Sequence, residues 1–193
     1  MAAAKPGERK LQILQAVAGM LEQPKGEKIT TAALAARLEL SEAALYRHFA
    51  SKAQMFEGLI EFIEQTVFGL INKITQEEKS GLKQIEATVS MLLGFAQKNR
   101  GMTRVLIGDA LVNEDERLQQ RVNQLLDRIE ATLKQSLRMA ATQGEMGEAV
   151  DVGSHANLLV CYVIGRWTQF AKSGFSREPM AMWPAQSAIL LHK

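Results

Sequence analysis

One cysteine, Cys161, stands in a chain of 193 residues, so no intrachain disulfide can form. That scarcity fits a reducing compartment. Inside its apolar run Cys161 reads as a small core hydrophobe rather than a nucleophile. The three histidines, His48, His155 and His192, lie far apart with no ligand spacing, and no metal or other cofactor is expected. Long apolar runs are missing too. The longest, "LLVCYVIG" from Leu158, falls far short of the ~20 residues that cross a bilayer. The segment "MAAAKPGERK" carries charge with no apolar stretch behind it, so no signal peptide is expected and the chain reads as cytoplasmic. Catalytic groupings are equally scarce. No Ser or Cys nucleophile with an orienting acid accompanies His48, and Glu77–Glu78 and "NEDER" at 113–117 read as solvated helix ends. An enzyme is not expected.

What is present is helix. Strand alternation is nearly absent, and apolar residues recur at helical spacing from end to end. A first helix is expected from about Glu8 to Glu22, with Leu11, Leu14, Val17, Ala18 and Leu21 on one face, broken by "QPKGEK". Thr30 or Thr31 can cap a short second helix carrying Leu34, Ala35 and Leu38. Ser41 caps a third that ends near Phe49. A long fourth helix runs from Lys52 to Glu77, and a fifth from Gly81 to "KNRG". A short piece at Thr103–Leu111 follows, then a long amphipathic helix from Leu118 to Leu137. The loop "TQGEMGEAVDVG" precedes helices at Ser154–Lys172 and Ala181–Leu191. The expected fold class is all-α, with about nine helices.

Charge is unevenly spread. Residues 1–56 hold eight Lys or Arg against five acids, a surplus of three, while the whole chain is only +2. A mildly basic N-terminal quarter is compatible with phosphate binding. Within it, two short helices joined by a tight turn have the spacing of a helix-turn-helix. Leu34, Leu38, Leu40, Leu45 and Phe49 form the apolar underside, leaving Ala43, Ala44, Tyr46, Arg47 and His48 outward. Small alanines let a backbone approach base edges and touch thymine methyls. Tyr46, Arg47, His48 and Lys52 can donate to phosphate.

The stretch "ITTAALAARLELSEAALYRHFASKAQMF" resembles the TetR/AcrR family of bacterial DNA-binding dimers, most specifically in "SEAALYRHFASK". The resemblance implies a DNA-binding helix-turn-helix domain at 1–51 and a helical dimerisation and partner-binding domain at 52–193. It places Thr31, Ser41, Ala43, Ala44, Tyr46, Arg47, His48 and Lys52 on double-stranded DNA. Two departures stand out: Glu39 occupies the turn position where the family often has glycine, and Ala50 one where proline is frequent.

The segments "LLGFAQKNRGMTRVLIGDAL" and "RLQQRVNQLLDRIEATLKQSLR" narrow the resemblance to a nucleoid occlusion branch of the family. Its members, bound to DNA as homodimers, antagonise the division ring by binding the C-terminal tail of FtsZ. By position, that resemblance implies a groove between the fourth and fifth helices lined by Phe62, Leu70, Met91, Gly94, Lys98 and Asn99, with Leu70 where a basic residue is expected. From the residues alone Phe62 fits a core position equally well. The helix with Leu158, Leu159, Tyr162, Val163, Trp167 and Phe170 has apolar surface nearly all round, and these residues are expected to form the subunit interface. The alternative is a ligand-responsive repressor with a small effector in its C-terminal domain.

Overall fold

The computed structural model describes residues 6–23, 29–147 and 151–191. Most of the "QPKGEK" break, residues 148–150 of the later loop, and His192 lie outside them. The described residues form nine α-helices and one 3-10 turn. These are α1 (Pro6–Leu21), α2 (Thr31–Arg37), α3 (Glu42–Tyr46), α4 (Lys52–Glu77), α5 (Gly81–Lys98), α6 (Arg100–Leu106), the 3-10 turn Asp109–Leu111, α7 (Glu116–Thr142), α8 (Val152–Lys172) and α9 (Trp183–Leu190). Local chemistry explains the starts. Thr30, Ser41, Ser51, Ser80, Asp115 and Asp151 each accept a backbone N–H from the first turn of the helix they precede. Such caps contribute about 1 kcal/mol each. Two expectations are corrected. The third helix stops at Tyr46 instead of Phe49, and the piece expected over Thr103–Leu111 splits at Gly108, whose φ is +78°.

Helix α4 joins the parts. Met55, Phe56, Leu59, Ile60, Ile63, Val67 and Ile71 are all buried along it, first against α1 and then against α5 and α7. A single cluster of buried residues runs from Ile13 in α1 through Val105 in α6 to Trp167 in α8, so the core continues across the boundary expected at residue 51. Helix α6 touches α1 backbone to backbone at Gly101. A Cβ there would lie 1.9 Å from the Ala18 carbonyl oxygen, so only glycine permits the approach. The same joint is tied by Arg104, whose guanidinium donates to the Leu21 and Gln23 carbonyls at 3.3 and 3.2 Å.

Helix α8 is buried on one side by its own chain, which changes the expected interface. Leu159, Val163, Trp167 and Phe170 are core residues, each at most 2% exposed, and the Trp167 indole N–H donates to the Leu92 carbonyl at 3.1 Å. They cannot present to a second copy. Tyr162 is half-buried with its hydroxyl donating to Gln186, and only Leu158 of the six stands out into solvent.

The helix-turn-helix closes on an unusual residue. After α2 the Leu40 N–H bonds the Ala35 carbonyl at 2.9 Å and the Glu39 N–H bonds that of Ala36 at 3.2 Å, with Glu39 at φ +54°. This is the left-handed helix stop that favours glycine. A side chain there costs on the order of 1 kcal/mol. Glu39→Gly should therefore stabilise the protein by about 1 kcal/mol, read as a higher urea midpoint at unchanged slope. A lower midpoint would show that the Glu39 side chain contributes more than its backbone strain costs.

Candidate DNA interface and partner groove

The start of α3 and the residues just beyond it form the candidate DNA face. Ser41 Oγ accepts the Ala44 N–H at 3.2 Å, so this serine sets the helix start. Leu45 and Phe49 are buried beneath, and the Lys10 ammonium lies 5.7 Å from the Phe49 ring centroid. Ala43, Tyr46 and Arg47 are exposed, and Ala44 and His48 are partly so. Tyr46, 45% exposed, and Arg47 make no side-chain hydrogen bond or ion pair with other described residues, which leaves their donors available. Thr31 and Lys52 differ. The Thr31 hydroxyl donates to Glu42 Oε2 at 2.6 Å, and the Lys52 ammonium is paired with Glu114. Both donors expected on DNA are thus held by carboxylates.

Beside the Lys52–Glu114 pair lies a cleft of about 220 Å³ between the N-terminal helices and the body, lined by Met20, Phe56, Arg104 and Asn113 among others. Asp109, on its wall, takes 2.7 Å from the Arg104 Nε and is also bonded by Lys172. Burial pushes the Asp109 carboxyl up, but its bonds to Lys172 and Arg104 outweigh that and hold it below the ordinary carboxylate value.

The second feature is a groove of about 840 Å³ along α4 and α5. Phe62, Thr66 and Leu70 recur every four residues on the α4 side, one stripe away from the buried one. Ala87, Ser90, Met91, Gly94, Gln97 and Lys98 line the α5 side, with Asn99 and Met180 also on the wall. All six residues assigned by resemblance to a partner groove share this one surface. Their capacities differ. Lys98 is exposed and pairs with no carboxylate among the described residues. Asn99 spends one of its two side-chain N–H groups on the Phe95 carbonyl at 2.8 Å, keeping the other and its amide oxygen for a partner. At Gly94 a Cβ would meet nothing within 4 Å, so the chain's own packing does not require glycine there. Residue-level reading missed Thr66, Ala87, Ser90, Phe95, Gln97 and Met180. Gln97 Oε1 is shielded from solvent and has no hydrogen-bond partner among the described residues. Its position on the α5 stripe, six beyond Met91, was readable. Met180 comes from the α8–α9 connection, and no local signal places it here.

A third surface is the outer side of α8 and α9. Leu158, Cys161 and Gly165 follow at i, i+3 and i+7 on α8, all exposed, beside exposed Ala185, Ala188 and Ile189 of α9, which corrects the core position expected for Cys161. Leu158 is 52% exposed and Ile189 75%. A Cβ on Gly165 would meet nothing within 4 Å. Glycine inside a helix costs about 1 kcal/mol relative to alanine, and no described residue packs close to this position.

A capped helix-turn-helix on an all-helical body with an apolar outer face defines a bacterial DNA-binding regulator of the TetR class. Residues 25–59 match the sequence model of the bacterial regulatory proteins of the tetR family, and residues 79–193 match the SlmA-like, tetracyclin repressor-like C-terminal domain. A TetR transcription regulator from Haloarcula marismortui superposes with a TM-score of 0.81 at 16% identity, covering 96% of this chain and 97% of that one. The nucleoid occlusion factor SlmA of Alteromonas mediterranea is 50% identical over 97% of this chain and 96% of its own length. That of a Marinomonas species is 50% identical over 96% and 94%. The chain belongs to the SlmA family of nucleoid occlusion factors, within the TetR regulators.

Leu158 gives the outer α8–α9 face a direct test. Being exposed, it can be changed to Asp without disturbing the core, and Leu158→Asp should convert dimers to monomers in sedimentation equilibrium at unchanged helicity. Dimers that persist would place the subunit interface elsewhere.

Proposed function

We propose that this protein is a non-enzymatic nucleoid occlusion factor. As a dimer it sits on chromosomal DNA through α2 and α3, binds the C-terminal tail of FtsZ in the α4–α5 groove, and inhibits division-ring assembly over the nucleoid. It acts in the cytoplasm, on the nucleoid. Family membership supports the DNA and dimer parts. The partner part is supported by one observation above others: the α4–α5 surface is open, mostly apolar, and carries at Lys98 a cation that pairs with no carboxylate among the described residues.

The chemistry follows from those side chains. An extended tail laid along the groove seats apolar side chains against Phe62, Leu70 and Met91 and passes its backbone over Gly94. A main-chain N–H group of the tail finds an acceptor in the Asn99 amide oxygen. Lys98 attracts an acidic residue of the tail, while Leu70 adds apolar contact in place of a second charge. On the DNA side, Arg47 and Tyr46 grip phosphates while Ala43 and Ala44 admit the groove edge. Two recognition helices must reach major grooves about 34 Å apart, which a dimer satisfies.

The reading is tested by fluorescence titration of a labelled FtsZ C-terminal peptide with and without double-stranded DNA, binding being expected and tighter with DNA. Absence of binding in both conditions would remove the division role and favour an effector-controlled repressor. Gly94 provides the sharpest variant. Gly94→Ala should raise helix stability by about 0.5–1 kcal/mol, yet weaken the peptide severalfold. Equal peptide affinity at raised stability would place the tail elsewhere. On DNA, Tyr46→Phe and Arg47→Ala should weaken binding across sequences, and Arg47→Ala should flatten the slope of log K against log salt by about 0.9. An unchanged slope would count against a phosphate contact.

A further inference from the structure

We propose that Glu114 is an internal stand-in for a DNA phosphate: it holds Lys52 in the free protein, and binding passes the Lys52 ammonium from its carboxylate to the DNA backbone. The inference rests on the DNA-binding reading above and concerns what sets its affinity.

Lys52 is the first residue of α4, a helix of 26 residues, with Ser51 as its cap. A cation in that turn faces the positive end of the helix dipole and the free N–H groups, an unfavourable site unless an anion is supplied. Glu114 supplies it from a distant part of the chain, the connection between the 3-10 turn and α7. The two side chains are 24% and 14% exposed, so salt screens the pair less than it would a surface pair. The carboxylate is held in place by its backbone. The Glu114 N–H bonds the Leu111 carbonyl at 3.0 Å, and Asn113 before it sits at φ +65°.

Lys52 lies only four residues beyond His48, at the edge of the candidate DNA face. The cleft beside the pair leaves room for its four-carbon stem to swing. To an ammonium, a carboxylate and a phosphate diester are equivalent acceptors of one negative charge each. The exchange therefore costs the release of Glu114 to solvent and the contact of the Lys52 ammonium with the Phe56 ring, whose centroid is 5.7 Å away. Thr31 repeats the pattern, its hydroxyl resting on Glu42 at the opposite end of the helix-turn-helix. In the free protein, carboxylates of the chain itself occupy donors that DNA would use. The result is a lowered affinity that only a well-placed phosphate overcomes.

The test is anisotropy titration of a fluorescein-labelled, mixed-sequence duplex about three helical turns long. It compares full-length protein with Glu114→Gln, Lys52→Ala and the double variant over roughly 0.05–0.2 M salt. Glu114→Gln should bind about fivefold tighter, with a salt slope steeper by up to about 0.9. Glu114→Asp, which keeps the charge on a shorter arm, should tighten binding less. Lys52→Ala should bind more weakly than the parent, and adding Glu114→Gln to it should change nothing. Thermal unfolding by circular dichroism accompanies each titration, so that tighter binding is read only on folded protein. Unchanged or weaker binding by folded Glu114→Gln, with the parent binding normally, would overturn the stand-in alone. So would a gain that survives in the Lys52→Ala background, since it would reflect the loss of any negative charge. A parent protein that binds no duplex would overturn the DNA reading and the stand-in together.

Discussion

The buried stripe of α4 is the constraint on which the rest of the molecule depends. Seven apolar side chains from Met55 to Ile71 are removed from water along one helix face. Large apolar side chains stabilise by about 1.5–3 kcal/mol each when fully buried. Because the stripe serves α1 at one end and α5 and α7 further on, the helix-turn-helix and the body are parts of one core. The geometry that follows is simple. Lys52 stands at the start of α4, and Phe62 and Leu70 lie about 15 and 27 Å along it at 1.5 Å per residue. The proposed DNA-facing end and the proposed partner-facing side thus share one helix.

Around that rod the polar groups are arranged as joints. Arg104 bonds two carbonyls at the end of α1 and the carboxylate of Asp109, which Lys172 of α8 also holds. Arg121 of α7 reaches back to Glu64 of α4 at 2.8 Å, and Arg128 lies 3.9 Å from the Phe68 ring centroid. None of these ties engages Lys98, Tyr46 or Arg47, whose side chains make no hydrogen bond or ion pair with other described residues.

Much of this was legible in the residues, for identifiable reasons. Helix starts are written locally, which is why Ser41 and the bounds of α4 and α5 were readable. The left-handed turn at Glu39 was visible as a side chain standing where glycine is usual, and its φ of +54° gives the strain a location. Phe62 could not be settled by periodicity, because a position beside the buried stripe serves either core or groove. The interface residues on α8 failed for a related reason. Apolar spacing shows that Leu159, Val163, Trp167 and Phe170 are covered, but not that their own chain covers them. The outer stripe of Leu158, Cys161 and Gly165 is small and weakly apolar, so it carried little signal. Long-range partners such as Glu114 for Lys52, and Met180 on the groove wall, depend on tertiary packing that no local pattern encodes.

The groove is tested most directly by its own methionines. Met91 and Met180 line it, Met55 is buried deep in the core, and Met182 is exposed outside it. In protein labelled with carbon-13 at the methionine methyls, titration with an FtsZ C-terminal peptide should move the Met91 and Met180 resonances and leave Met55 and Met182 in place. Shifts confined to Met182, or no shift at saturating peptide, would contradict a partner site between α4 and α5.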